Sequence, residues 1–310
     1  MKVTRILGVV VMTVVLAGLV AQTACGRGAG LGATNITVEG GAMGIAFDGT
    51  SIWVTNWYDG TVTKIKASAS DNSEESVYRV GREPTGVAFD GANIWVTCTS
   101  DNVVTKLNAS AGSVVGTYAV DHPYNIAFDG TNVWIPVYWD NCVTVLKASD
   151  GSQVGNYPVG SFPYGITFDG ANIWVTNTGD NTVTELNALD GSLVGTYPVG
   201  TWPNCVVFDG TNIWVTNCRS WNVTEIRASD GSMVGTYGVG WWPNGIAFDG
   251  TNIWVTNGGT GNVTVLRASD GTVAGTYGTG TVPCGITFDG SNIWVANLES
   301  SSVTKLPTGT

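Results

Sequence analysis

The chain has 310 residues, of which only 12% are charged and 43 are glycine, and its formal net charge is −11. So many turn formers and so few solvated side chains point away from a helical body, and an acidic balance without any run of Lys or Arg excludes the clustered cations on which nucleic-acid binding rests. A chain this long can bury a large core.

At the N-terminus, Lys2 and Arg5 precede an apolar run from Ile6 to Ala21 and then small residues around Cys25. These are the n-region, h-region and cleavage zone of an export signal, and the run is short for a membrane span. Cleavage just before Cys25 would resemble a bacterial lipoprotein signal, with the lipid on that cysteine. Gln22 stands where that pattern has an aliphatic residue, so plain secretion is the alternative. Removing residues 1–24 takes away Lys2 and Arg5 and shifts the charge from −11 to −13. The expected organisation is a signal over 1–24, a short linker over 25–33 and the folded body over 34–310. The expected product is an exported monomer that is secreted, periplasmic or, with a lipid at Cys25 as its only membrane contact, anchored at the cell surface.

From residue 41 onward the sequence repeats. A Phe-Asp-Gly triplet begins at Phe47, Phe89, Phe128, Phe168, Phe208, Phe248 and Phe288, and a tryptophan follows each six residues later, from Trp53 to Trp294. The triplets are spaced by 42, 39 and then 40 residues. Such a period marks one supersecondary unit copied along the chain. Within the unit that starts at Pro243, apolar runs at Gly245 to Asp249, Ile253 to Thr256, Val263 to Leu266 and Val273 to Tyr277 are separated by Gly, Asp, Asn and Ser, which predicts four antiparallel strands, a to d. Seven such units predict an all-β, seven-bladed β-propeller with four strands per blade. The last unit stops after its strand c, Val303 to Leu306, whereas Thr34 to Gly40 reads as a strand d with nothing before it. The N-terminal strand therefore closes the ring inside the last blade.

The seven repeated tryptophans invite a functional reading, but identity in every blade fits packing. Each would bury ~150–250 Å², on the order of 4–6 kcal/mol gross at ~25 cal/mol per Å². The strand d tyrosines from Tyr78 to Tyr277 read the same way, and the Asp-Gly pairs read as hairpin turns in which Gly supplies positive φ.

Function is sought where the repeats disagree. The a-to-b and c-to-d turns share one face of the ring and are nearly uniform, apart from a longer acidic stretch from Ala67 to Ser76. The b-to-c turns and d-to-a links share the other face, and every aromatic outside the core pattern falls there: Trp57, Tyr58, Tyr138, Trp139 and Trp221 in turns, and Tyr124, Phe162, Tyr164, Trp202, Trp241 and Trp242 with His122 in links. Aromatic loops on a rigid β scaffold form binding surfaces, and Asn125, Asn141, Asn177, Asn204 and Asn244 could orient a ligand. The alternative is that these rings pack over neighbouring blades.

Cys98, Cys142, Cys205, Cys218 and Cys284 also lie toward this face and match no zinc spacing. Export favours disulfides, with Cys98–Cys142 and Cys205–Cys218 as candidates and Cys284 left over. The carboxylates Glu83, Asp121, Asp140, Asp180 and Glu299 show no repeated acid–base spacing. No catalytic residue, metal site or cofactor is assigned.

The runs Ile-Trp-Val-Thr-Asn (253–257), Asn-Val-Thr-Val-Leu (262–266), Ala-Ser-Asp-Gly-Thr, Gly-Thr-Tyr-Gly-Thr-Gly and Pro-Cys-Gly-Ile-Thr-Phe-Asp-Gly (283–290) resemble the YVTN-repeat β-propellers of prokaryotic secreted and surface proteins. They also resemble the wider group of streptogramin (virginiamycin B) lyases and NHL-type propellers. The resemblance covers residues 41–310 and implies the propeller fold. Its lyase branch implies a metal-assisted elimination by histidines and acidic residues on one face, but His122 is the single histidine here, so no catalytic position carries over. The expectation is a binding module for an extracellular ligand, namely a carbohydrate, peptide or apolar small molecule. A lyase or hydrolase at the central mouth and a structural surface protein are the alternatives.

Overall fold

A computed structural model describes residues 32–69 and 75–308. The expected export signal, Cys25, most of the expected linker and the middle of the blade 1 c-to-d stretch lie outside the described residues. Seven four-stranded antiparallel sheets, each with its strands in simple order, form the seven blades. The strands a lie side by side around a central axis. In blade 6 the strands run Pro243–Phe248, Asn252–Asn257, Asn262–Arg267 and Val273–Gly278. They are longer than their apolar cores because polar ends also pair, with Asn257 opposite Asn262 and Asn252 opposite Arg267. The closing strand Thr34–Thr37 pairs with Ser302–Pro307 in the last blade, as expected, and puts Ile36 opposite Val303 where the other blades have their tyrosine.

The repeated residues hold the blades by a common set of bonds. Each core tryptophan is at most 2% exposed, and its indole N–H donates across the a-to-b hairpin to the Phe-Asp-Gly carboxylate at 2.6–2.8 Å in all seven blades. The other oxygen of that carboxylate accepts the turn N–H groups, as at Asp209 from Thr211 and Asn212. In six blades the indole stacks on the strand d tyrosine at 5.4–5.7 Å. Across the blade boundary the c-to-d turn glycine meets that ring: Gly191 has φ 73, and a Cβ there would collide with Tyr157. This glycine is required twice over, by its backbone and by the tyrosine beside it.

The Val-Thr-Asn part of strand b has two further duties. Its threonine donates to a carbonyl of the next blade's strand a, as from Thr176 to Asn204 (2.6 Å), Thr216 to Asn244 (2.7 Å) and Thr256 to Cys284 (2.8 Å). Its asparagine is buried and spans the b-to-c turn, with Asn177 Nδ2 donating to Thr182 and Thr184. Blade 7 has Ala296 in place of the strand b threonine, and blade 3 departs further. Its strand b reads Asn-Val-Trp-Ile-Pro-Val, so Pro136 replaces the latch threonine, and its strand a shortens to Ala127–Phe128. Beside the tryptophans of blades 7, 1 and 2 stand Lys305, Lys64 and Lys106, 4.7–5.0 Å from the ring centroids and bonded to backbone carbonyls of the next blade.

Candidate functional site

Strand a builds the floor of the candidate site. At its third position most blades carry glycine, because a Cβ on Gly165 or Gly245 would run into the carbonyl oxygen of Asn204 or Cys284 in the next blade. Blades 3 and 5 put Asn125 and Cys205 there instead. These two side chains join Met43, Thr85, Tyr124, Tyr164, Asn244 and Cys284 around a cavity of about 50 Å³ at the mouth of the axis. Deeper in, the fourth positions form an aliphatic ring of Ile45, Val87, Ile166, Val206, Ile246 and Ile286 around a space of about 140 Å³. An amide and thiol layer thus lies over a channel walled by aliphatic side chains and by the backbone of the strands a.

The five cysteines are free, which corrects the expected bridges. Cys98 belongs to the core between blades 1 and 2, beside Trp53 and Val62, whereas Cys142 packs with Trp95 and Ile135 between blades 2 and 3, so the pair face different layers. Cys205 turns to the axial mouth, and Cys218 sits at the outer turn, its N–H on the Trp202 carbonyl. Burial pushes the thiols of Cys98, Cys205 and Cys284 up to about 12 and that of Cys218 to about 11, so at neutral pH none is a thiolate. Among the described residues no group of three or more His, Cys, Asp or Glu could hold a metal ion.

Around the mouth the predicted aromatic residues divide into separate groups. Five interlock across blades 3 and 4: Tyr138 contacts Tyr124 (4.9 Å), Trp139 (5.1 Å) and Phe162 (5.0 Å, stacked), and Tyr124 contacts Tyr164 (5.2 Å). Tyr164 is the second residue of strand a and not a link residue, and it turns to the axis. Burial raises its phenol well above the ordinary value and carries that of Tyr124 up to about 12. In blade 1, Trp57 and Tyr58 meet edge to face at 5.2 Å, and the Tyr58 hydroxyl donates to Glu299 of blade 7. In blades 5 and 6, Trp202 lies under the Arg219 guanidinium at 3.8 Å, and Trp221 and Trp241 face each other at 5.8 Å with planes tilted by 34°. Trp242 is half-buried over the blade 6 turn, where Gly258-Gly259 leaves it room.

The link residue before strand a has φ between 40 and 61 at Glu83, His122, Phe162, Trp202, Trp242 and Val282. This geometry aims its carbonyl at the N–H that follows strand b, as from Thr178 to Phe162 and Gly258 to Trp242. The b-to-c turn ends in a second left-handed residue, which in blades 2, 3 and 4 is Asn102, Asn141 and Asn181. Their side-chain oxygens accept the link N–H of His122, Phe162 and Trp202. Asn141 and Asn177 are therefore structural, not ligand groups, whereas Asn125 and Asn244 border the mouth and Asn204 stands beside it, 3.5 Å from Asn244. His122 sits on the rim, its Nδ1 2.8 Å from the adjoining Asp121 carboxylate. Met43 and Thr85 are site residues that sequence reasoning missed. Their signal was the second strand a position, which differs in nearly every blade.

No family model and no curated protein matches the chain. Solved structures do. A streptogramin B lyase superposes with a TM-score of 0.75 at 22% identity, over 88% of this chain and 96% of that one. A catalytically inactive histidine-to-alanine variant of virginiamycin B lyase from Staphylococcus aureus, with quinupristin, gives 0.76 at 19% identity over 89% and 98%. Kuenenia stuttgartiensis hydrazine synthase gives 0.76 at 19% over 92% and 99%. The fold is that of these propellers. Since proteins of two different names match it equally well, the fold does not select between activities.

Proposed function

We propose that this chain is an exported binding module that engages an extracellular ligand through the aromatic face of its propeller. The observation that carries this reading is the pair Trp221 and Trp241, 47% and 60% exposed on a rigid scaffold whose core tryptophans are all buried. Indoles left in water on neighbouring turns offer apolar area to a partner at little ordering cost. Tyr58 and Trp139, similarly exposed, extend that surface around the mouth. Replacing Trp241 by Ala should change stability by less than about 0.5 kcal/mol, since nothing closes over it, and should abolish ligand capture in a glycan and peptide array. Unaltered capture would return these rings to a packing role.

Elimination chemistry like that of streptogramin lyases is the second reading, favoured by the shared fold alone. It is tested by incubation with quinupristin in the presence of a divalent metal, with His122→Ala and a chelator as controls. Turnover that both controls abolish would replace the binding proposal.

A further inference from the structure

The aromatic face is not evenly charged. Its turns and links carry Asp59 and Glu299 in blades 1 and 7 and Asp101, Asp140 and Asp180 in blades 2, 3 and 4. The turns 218–221 and 258–261 and the links 199–202, 239–242 and 279–282 contain no carboxylate. Within an acidic protein this leaves one sector, around blades 5 and 6, where an anion meets no nearby like charge on that face.

That sector also holds a cation. Of the two arginines in these turns and links, Arg82 is bound to Asp101 at 2.6 Å, whereas Arg219 has no carboxylate partner among the described residues and lies exposed over the Trp202 ring, its Cζ 3.8 Å from the centroid. A guanidinium laid on an indole keeps its charge and its donor edge while its position is held, which suits recognition of a planar carboxylate.

Trp221, two residues on, stands in the left-handed geometry (φ 55) that blades 2, 3 and 4 give to asparagine. A bulky residue is disfavoured there, and no side chain of its turn takes over the bond that Asn181 makes to the Trp202 N–H one blade earlier. In return the chain gains an indole that makes a V-shaped platform with Trp241. A local rule broken in one repeat, with no internal gain to match, is the mark of a site.

We infer that the blade 5–6 sector binds an acidic saccharide, with a sugar ring against the Trp221–Trp241 platform and its carboxylate on Arg219. The inference rests on the binding reading above and narrows it to a ligand class. Flat exposed indoles suit the apolar face of a pyranose, and Thr260, exposed in the blade 6 turn with its hydroxyl donating to Asn262 at 3.0 Å, keeps an oxygen that can accept from a sugar hydroxyl. An acidic peptide fits less well, because the strands of blades 5 and 6 end at this face and offer it no open edge to pair with.

The test is tryptophan fluorescence titration and calorimetry of the folded protein with oligogalacturonate, a neutral oligosaccharide of equal length and an acidic peptide, at low and high salt. Expected is binding of the oligogalacturonate alone, weakened by salt, lost at least tenfold in Arg219→Ala and in Trp241→Ala, and partly kept in Arg219→Lys. Equal binding of the neutral sugar, with Arg219→Ala silent and Trp241→Ala deleterious, would overturn the acidic preference while leaving the aromatic-face reading intact. Capture of the peptide but not the sugar would overturn the saccharide. No binding of any of the three probes would sink this inference, and the wider reading would then stand or fall on Trp241→Ala in the array. Circular dichroism melting of each variant separates lost binding from lost fold.

Discussion

Two aromatic groups share one face of this propeller and behave differently. Across blades 3 and 4, Tyr124, Tyr138, Trp139, Phe162 and Tyr164 contact one another, with Tyr124 and Tyr164 bordering the axial mouth, beside the blade in which Pro136 has removed the threonine latch. Across blades 5 and 6 the latch is present, from Thr216 to Asn244, and Trp221 and Trp241 touch little besides each other. At the blade 3–4 boundary, where Pro136 stands in place of the clasp, rings have filled the seam; at the blade 5–6 boundary, where the clasp is intact, rings face outward. The difference teaches that a loop aromatic enclosed by its neighbours belongs to the scaffold, whereas one left in water is a candidate for recognition.

The strongest way to break this contrast is Tyr164→Ala. If Tyr164 holds the seam, its loss should cost about 3 kcal/mol, in the range for a buried aromatic truncated to alanine, read as a shift in urea midpoint. A change as small as that of Trp241→Ala would erase the distinction between the groups. Next in size is Asp289→Asn, which places an amide donor before the Trp294 indole N–H and should cost about 1.5–3 kcal/mol, the usual worth of a hydrogen bond to a charged group. Burial works to raise the carboxyls of Asp48, Asp90 and Asp289, but the bonds from their tryptophans and turn N–H groups outweigh it and hold each below the ordinary 3.8. A lowered native value means that the unfolded chain binds protons first. The stability these carboxylates contribute is therefore complete above pH 3.8 and is lost as pH falls through their lowered values. Thermal melts from pH 6 to 2 should show that loss at the acid end, and Asp289→Asn should flatten it. Smallest is Trp221→Asn, which restores a residue that tolerates left-handed geometry and can cap the following link. It should stabilise the fold by about 1 kcal/mol while weakening ligand binding. A destabilised variant would mean that the Trp221 ring packs as part of the structure.

Much of the architecture was legible in the sequence because it is repeated. Seven spacings of Phe-Asp-Gly to Trp specify seven copies of a local hairpin, and the unmatched strands at Thr34 and Ser302 specify how the ring closes. Alternation and turn chemistry act over a few residues, so they can be read directly along the chain. The same locality explains why strand alternation alone assigns the aromatic loops to one face.

What the tertiary structure alone decided is which residues meet across blades. Cys98 and Cys142 looked joinable in sequence but face different layers, Asn177 looked available but is used up inside its own blade, and Met43 and Thr85 become neighbours of Tyr124 and Tyr164 only around the axis. Nor does the sequence say that Arg219 lies on Trp202, or that Trp221 stands where three other blades use asparagine as a cap. These relations join residues tens to hundreds of positions apart, set by how far each blade turns about a common centre, and a pattern with a period of about 40 residues carries the list of parts without the distances between them.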